Sequence, residues 1–141
     1  RLTRAVLKLF AQHNYGGRVS VLTKSPLVLD DLVLLRKIEN AEVGISIATS
    51  EDNLSRKLDA MAPLAHARLK TLRQLNDEGI KTYVFVGPFL PHMKLKPELI
   101  DKLFSEIKAA GTNDVKIEYL NLLNKKYRPP ACMYHKKSWI Q

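Results

Sequence analysis

The sequence predicts an α/β protein built on a parallel sheet of about four βα units, and three observations predict it. Four short apolar runs at residues 19–24, 43–48, 82–86 and 115–120 are rich in valine, isoleucine and aromatic residues and read as buried strands. Helix-period segments separate them, so every connection is a crossover and neighbouring strands run parallel. Each run also ends in polar or backbone-exposing residues: Thr23, Lys24 and Ser25, then Thr49 and Ser50, then Gly87 and Pro88, then Asn121. The carboxyl ends of such strands are where α/β proteins place ligand-binding groups.

The elements follow in order. Leu2, Ala5, Val6, Leu9 and Phe10 recur at helical spacing, and Gly16-Gly17 stop that helix before the first strand. Leu32, Leu34, Leu35 and Ile38 form the apolar side of a second helix, with Asp30 and Asp31 suited to its amino end. After strand 43–48, Thr49-x-x-Asp52 has the spacing of a capping box for a helix through Leu58. Pro63 opens a further helical segment, in which Leu69, Leu72 and Leu75 share a face and Gly79 is the carboxyl cap. Pro97 opens the last helix, carrying Leu99, Ile100, Leu103, Phe104 and Ile107, and Gly111 ends it before strand 115–120. The near-continuous apolar strands predict a sheet covered on both faces.

With 141 residues, 45% of them hydrophobic, the chain fits one domain with a sizeable core. Residues 1–121 carry the α/β pattern. Residues 122–141 change character into a basic, aromatic tail without periodicity. The single cysteine, Cys132, excludes an internal disulfide framework and cannot alone hold zinc or an iron–sulfur cluster. No apolar run approaches a membrane helix and the amino end carries no signal-peptide pattern, so a cytoplasmic, soluble protein is expected. A first residue of Arg1 rather than methionine points to a processed or truncated chain.

The net charge of +9 favours anionic partners such as nucleic acid, phosphate or a carboxylate-bearing cofactor. Lys57, Lys70 and Arg73, however, fall on helix faces where charge simply solubilises. His13, His66, His92 and His135 form no spaced metal set, and neither a Gly-x-Gly-x-x-Gly turn nor a Walker loop occurs. In the tail, Tyr127, Tyr134 and Trp139 with Lys125, Lys126, Arg128, Lys136 and Lys137 have the composition to stack bases and meet phosphates.

One set of motifs carries a family resemblance. Thr23-Lys-Ser-Pro-Leu-Val-Leu-Asp-Asp-Leu-Val-Leu-Leu35, Val43-Gly-Ile-Ser-Ile-Ala-Thr49, Leu54-Ser-Arg-Lys-Leu-Asp-Ala-Met-Ala-Pro63 with Ala67-Arg-Leu69, and Gly79-Ile80 leading to Val86-Gly-Pro88 resemble the carboxyl-side half of a radical S-adenosylmethionine domain. The most similar group is the spore-photoproduct-lyase-like (DNA repair photolyase-like) proteins, and the resemblance covers about residues 1–92. It implies a six-stranded partial (β/α) barrel whose four-iron cluster is held by a Cys-x-x-x-Cys-x-x-Cys loop, which this chain lacks.

The resemblance further implies a parent enzyme of lyase type that uses S-adenosylmethionine and a 4Fe-4S cluster. This chain alone is expected to be inactive and to bind neither tightly. Its partner would be the missing amino-terminal half of the domain, with a homo-oligomer through an open sheet edge as another arrangement. Lys24 resembles the lysine that meets the cofactor's methionyl carboxylate, Ser46 the serine at its ribose or carboxylate, Arg56 the arginine turned toward its charged end, and Gly87 with Pro88 the backbone beside adenine. Ser25 and Thr49 complete the candidate cofactor-binding set; Arg68 reads as a structural or surface residue. Relatives carry an arginine where this chain has Met61 and a glycine-rich turn where it has His92-Met93. Two other readings remain open: a non-catalytic α/β binding module for nucleic acid or another anion, and a scaffold half-barrel without a cluster.

Overall fold

The computed structural model describes residues 2–89 and 95–119. The order is α1 (Leu2–Gln12), β1 (Val19–Thr23), a 3-10 turn (Pro26–Asp31), α2 (Leu32–Leu35), β2 (Ala41–Ser46), α3 (Asp52–Leu58), α4 (Ala65–Asp77), β3 (Lys81–Phe89), α5 (Pro97–Ala109) and β4 (Val115–Tyr119). The strands form one sheet in the order β1-β2-β3-β4, every neighbouring pair parallel. This is the predicted α/β architecture, of the kind found in partial (β/α) barrels. Gly79 and Gly111, at φ +72° and +99°, end α4 and α5 in the left-handed conformation that glycine adopts without strain. The tail, Cys132, Asn121 and the His92-Met93 pair lie outside the described residues.

The core lies on one face of the sheet. Val19, Val43, Ile45, Ile47, Val84 and Val86 join Leu7, Leu35, Leu72, Leu75, Leu103 and Ile107 in a single buried cluster. Burying each such side chain is worth about 1.5–3 kcal/mol. Side chains alternate along a strand, and the register of the ladders puts Ser20, Leu22, Glu42, Gly44, Ser46, Lys81, Tyr83, Phe85 and Lys116 together on the opposite face. None of these belongs to the core cluster, and Leu22 is half exposed. Glu42, Ser46 and Tyr83 on that face are nonetheless buried, so β2 is enclosed on both sides. The run around β2 looks continuously apolar because Gly44 and Ser46 interrupt it with small residues only. Its real pattern alternates Val43, Ile45 and Ile47 on the core face with Glu42, Gly44 and Ser46 on the opposite one.

The capping box is corrected. The residue before α3 is Glu51, which makes no side-chain cap. Thr49 lies two residues further back, where its hydroxyl accepts the Glu51 N–H at 3.2 Å. Asp52 instead reaches forward to the start of α4, with Oδ1 accepting the His66 N–H at 3.0 Å and Oδ2 lying 2.5 Å from His66 Nδ1. Asp31 does precede α2 but caps nothing with its side chain; it accepts a hydrogen bond from Arg4 Nε and so ties α1 to the turn.

Candidate site at the strand mouth

Lys24 follows the last residue of β1 and Ser46 closes β2, one step along from the paired Thr23 and Ile45. Both therefore lie at the carboxyl end of the sheet, with Ser46 on the face opposite the core cluster. The Lys24 ammonium donates to both carboxylate oxygens of Asp59, at 2.7 and 2.8 Å. Asp59 also accepts from Arg68 Nη2 at 3.1 Å. Arg68 is only 2% exposed; its other donors reach the Ser46 carbonyl at 3.1 Å and the Pro63 carbonyl at 2.7 Å. A buried guanidinium thus ties the end of β2 to the loop that carries Asp59.

Two cations and one carboxylate leave this cluster with one positive charge. Burial pushes the Asp59 carboxyl pKa up, but the hydrogen bonds and charges of Lys24 and Arg68 more than offset it and hold the group below the usual carboxylate range. The ammonium has three N–H donors, of which Asp59 takes two. The Lys24 side chain is 41% exposed, so its remaining donor is within reach of an incoming anion.

The other candidate residues have different tasks. Arg56 Nη1 donates to the Ala60 and Ala62 carbonyls at 2.6 and 3.4 Å, bracing the Asp59 loop. The Ser25 hydroxyl accepts the Leu27 N–H at 3.3 Å and so starts the 3-10 turn. It lines a groove of about 260 Å³ with Arg4, Leu7, Val21 and Asp31, on the helix side of the sheet. Thr49 is buried at the entry to α3. A side chain at Gly87 would meet the Phe85 ring at 2.3 Å, so here Phe85 occupies the space that the missing side chain leaves; Pro88 next to it is exposed.

Two groups were not picked out from the sequence. Asp59 is one, and no spacing marks it. The other lies lower on the same face, where Glu42, 2% exposed, accepts from Arg18 Nη2 at 2.6 Å with Lys116 Nζ 3.8 Å from its other oxygen. Burial raises the Glu42 pKa, while Arg18, Ser20 and Lys116 lower it further than burial raises it. An acid inside an apolar strand, with Arg18 directly before the neighbouring strand, is the signal that could have found it. Above them the Tyr83 ring lies over Gly44, its hydroxyl 3.2 Å from Ser20 Oγ and Lys116 Nζ 3.5 Å from the ring centre. Among the described residues no cluster of His, Cys, Asp and Glu is placed to hold a metal ion, and no helix is long and apolar enough to cross a membrane.

No family model matches the chain. An uncharacterized protein of Methanocaldococcus jannaschii is 36% identical over 124 residues, 86% of this chain and 44% of that protein. An uncharacterized protein of Mycobacterium tuberculosis is 31% identical over 110 residues, 76% of this chain and 32% of that protein. One from Acidianus two-tailed virus is 30% identical over 110 residues, 75% of this chain and 36% of that protein. The chain thus spans less than half the length of these relatives. Among solved structures, spore photoproduct lyase complexed with dinucleoside spore photoproduct matches with a TM-score of 0.60 at 20% identity, over 82% of this chain and 34% of that one. The fold resembles one part of that lyase.

Proposed function

We propose that this chain is the carboxyl-side part of a radical S-adenosylmethionine domain of the spore-photoproduct-lyase-like group, and that its strand mouth holds the cofactor's charged end. The observation that carries the reading is Lys24, held at the carboxyl end of β1 near the end of β2, in a cluster with one surplus positive charge. The likeness of fold to spore photoproduct lyase supports it.

The residues present fit one of the two implied groups. The free donor of Lys24 suits the carboxylate of S-adenosylmethionine, and the Ser46 hydroxyl, which forms no hydrogen bond among the described residues, suits a second polar contact. When bound beside a reduced iron–sulfur cluster, this cofactor supplies reductive carbon–sulfur cleavage. The cluster itself does not fit: the described residues include no cysteine, and the chain's one cysteine is Cys132. Its ligands are assigned to the part of the relatives' length that this chain does not span, and the role left to these residues is to bind and orient.

The test is Lys24→Ala in the full-length protein, with S-adenosylmethionine affinity measured by calorimetry. A charge-assisted hydrogen bond is worth about 1.5–3 kcal/mol, and the partial exposure of Lys24 puts the expected loss at the lower end, about tenfold. Unchanged affinity would remove Lys24 from the site.

A further inference from the structure

We propose that Asp59 is the positioning residue of the strand mouth, presenting the Lys24 ammonium to the anionic group of the bound molecule. This deepens the reading above and rests on it. Three features support the assignment. Asp59 holds Lys24 through both of its oxygens, which fixes the direction of a flexible side chain and leaves one N–H uncommitted. Asp59 is itself fixed, because the buried Arg68 joins it to the Ser46 carbonyl at the end of β2. The loop that follows is braced from its other side by Arg56, which binds the Ala60 and Ala62 carbonyls. The carboxylate thus transmits the position of the β2 end to the lysine that follows β1.

The same geometry would also suit a competitor, a carboxylate that occupies Lys24 until a ligand displaces it. The two roles predict opposite signs. Asp59→Asn keeps the side-chain shape and an acceptor for Arg68 but raises the net charge of the cluster from one positive to two. A competitor's removal would tighten binding of an anion, through both the freed ammonium and the added charge. A positioning residue's removal weakens binding despite the added charge.

The experiment is a double-mutant cycle on the full-length protein, reading S-adenosylmethionine affinity by calorimetry and thermal unfolding in parallel. Asp59→Asn is expected to weaken binding about tenfold in the unaltered background, and by less than about twofold when Lys24→Ala is already present, because contacting residues that act through one another are not additive. Asp59→Glu, which restores the charge, should recover part of the affinity and provides the measurement if the asparagine variant fails to fold. Tighter binding by Asp59→Asn, or an equal loss in both backgrounds, would overturn the assignment while leaving the proposed function standing. Failure of the unaltered protein to bind S-adenosylmethionine would overturn both.

Discussion

Replacing Gly44 with alanine should destabilise the protein through a ring on the next strand. Gly44 pairs directly with Tyr83, and a Cβ at this position would lie 2.2 Å from Tyr83 Cζ and 2.6 Å from its hydroxyl. No side-chain adjustment of the alanine relieves such a contact, so the ring must lift from the sheet. It then loses the hydrogen bond to Ser20, worth about 1 kcal/mol net, and the Lys116 ammonium at its face, worth about 0.5–1 kcal/mol at a partly exposed position. Tyr83 is 6% exposed in the native state. Re-exposing about 100 Å², roughly half of what a buried tyrosine removes from water, costs about 2.5 kcal/mol at ~25 cal/mol per Å². Alanine's smaller unfolded-state entropy returns about 0.5–1 kcal/mol. The expected net loss is about 3–4 kcal/mol, read from urea unfolding followed by circular dichroism with an unchanged denaturant slope. In a Tyr83→Ser background the same substitution should be neutral or slightly stabilising. A Gly44→Ala protein within about 0.5 kcal/mol of the unaltered one would show that the ring does not depend on the glycine.

Arg68→Ala should lower stability by about 3 kcal/mol, because it leaves Asp59 with one cation and strips the Ser46 and Pro63 carbonyls of their donor; Arg68→Lys should rescue only part, since a point charge cannot reach all three acceptors, and thermal unfolding checks both. Asp52, Asp59 and Glu42 are all held below the usual carboxylate range, so each releases its proton more readily folded than unfolded. Their stabilisation is complete above the unfolded values near pH 4 and is lost as the pH falls through the lower folded values. Urea midpoints should therefore drop between about pH 5 and pH 3, and Glu42→Gln should flatten that drop; an identical slope in the variant would remove Glu42 from the effect.

What the sequence made legible follows from how locally each feature is encoded. The strands and their parallel order can be read from apolar runs alternating with helical periodicity, and the ends of α4 and α5 from Gly79 and Gly111. Strand boundaries moved by one to three residues because the ladder is set by pairing with a neighbour. At β2 the apolar run concealed an acid, because Glu42, Gly44 and Ser46 share the face opposite the core cluster and are buried as well. At the site, Lys24 could be chosen because strand ends are visible in the pattern; Ser46, which the pattern put inside strand 43–48, was chosen only through the family resemblance. Asp59 could not, since its role depends on a loop returning across the mouth of β1. Arg68 read as structural, and it is, but its burial against the Ser46 carbonyl arises from packing between elements 22 residues apart in the chain.

The hydrogen bond between Ser20 and Tyr83 joins β1 to β3 over the top of β2, and this affects how the chain can assemble on the ribosome. Each strand pairs with the one synthesised just before it, so β2 can dock on β1, and β3 on β2, as each emerges, without waiting for distant sequence. The Ser20–Tyr83 bond has a different requirement: it forms only when the first and third strands are both in register. A slip of β2 by one residue would carry Gly44 out from under the ring and put a bulky side chain there instead. The tyrosine therefore proofreads the register of the strand it lies across.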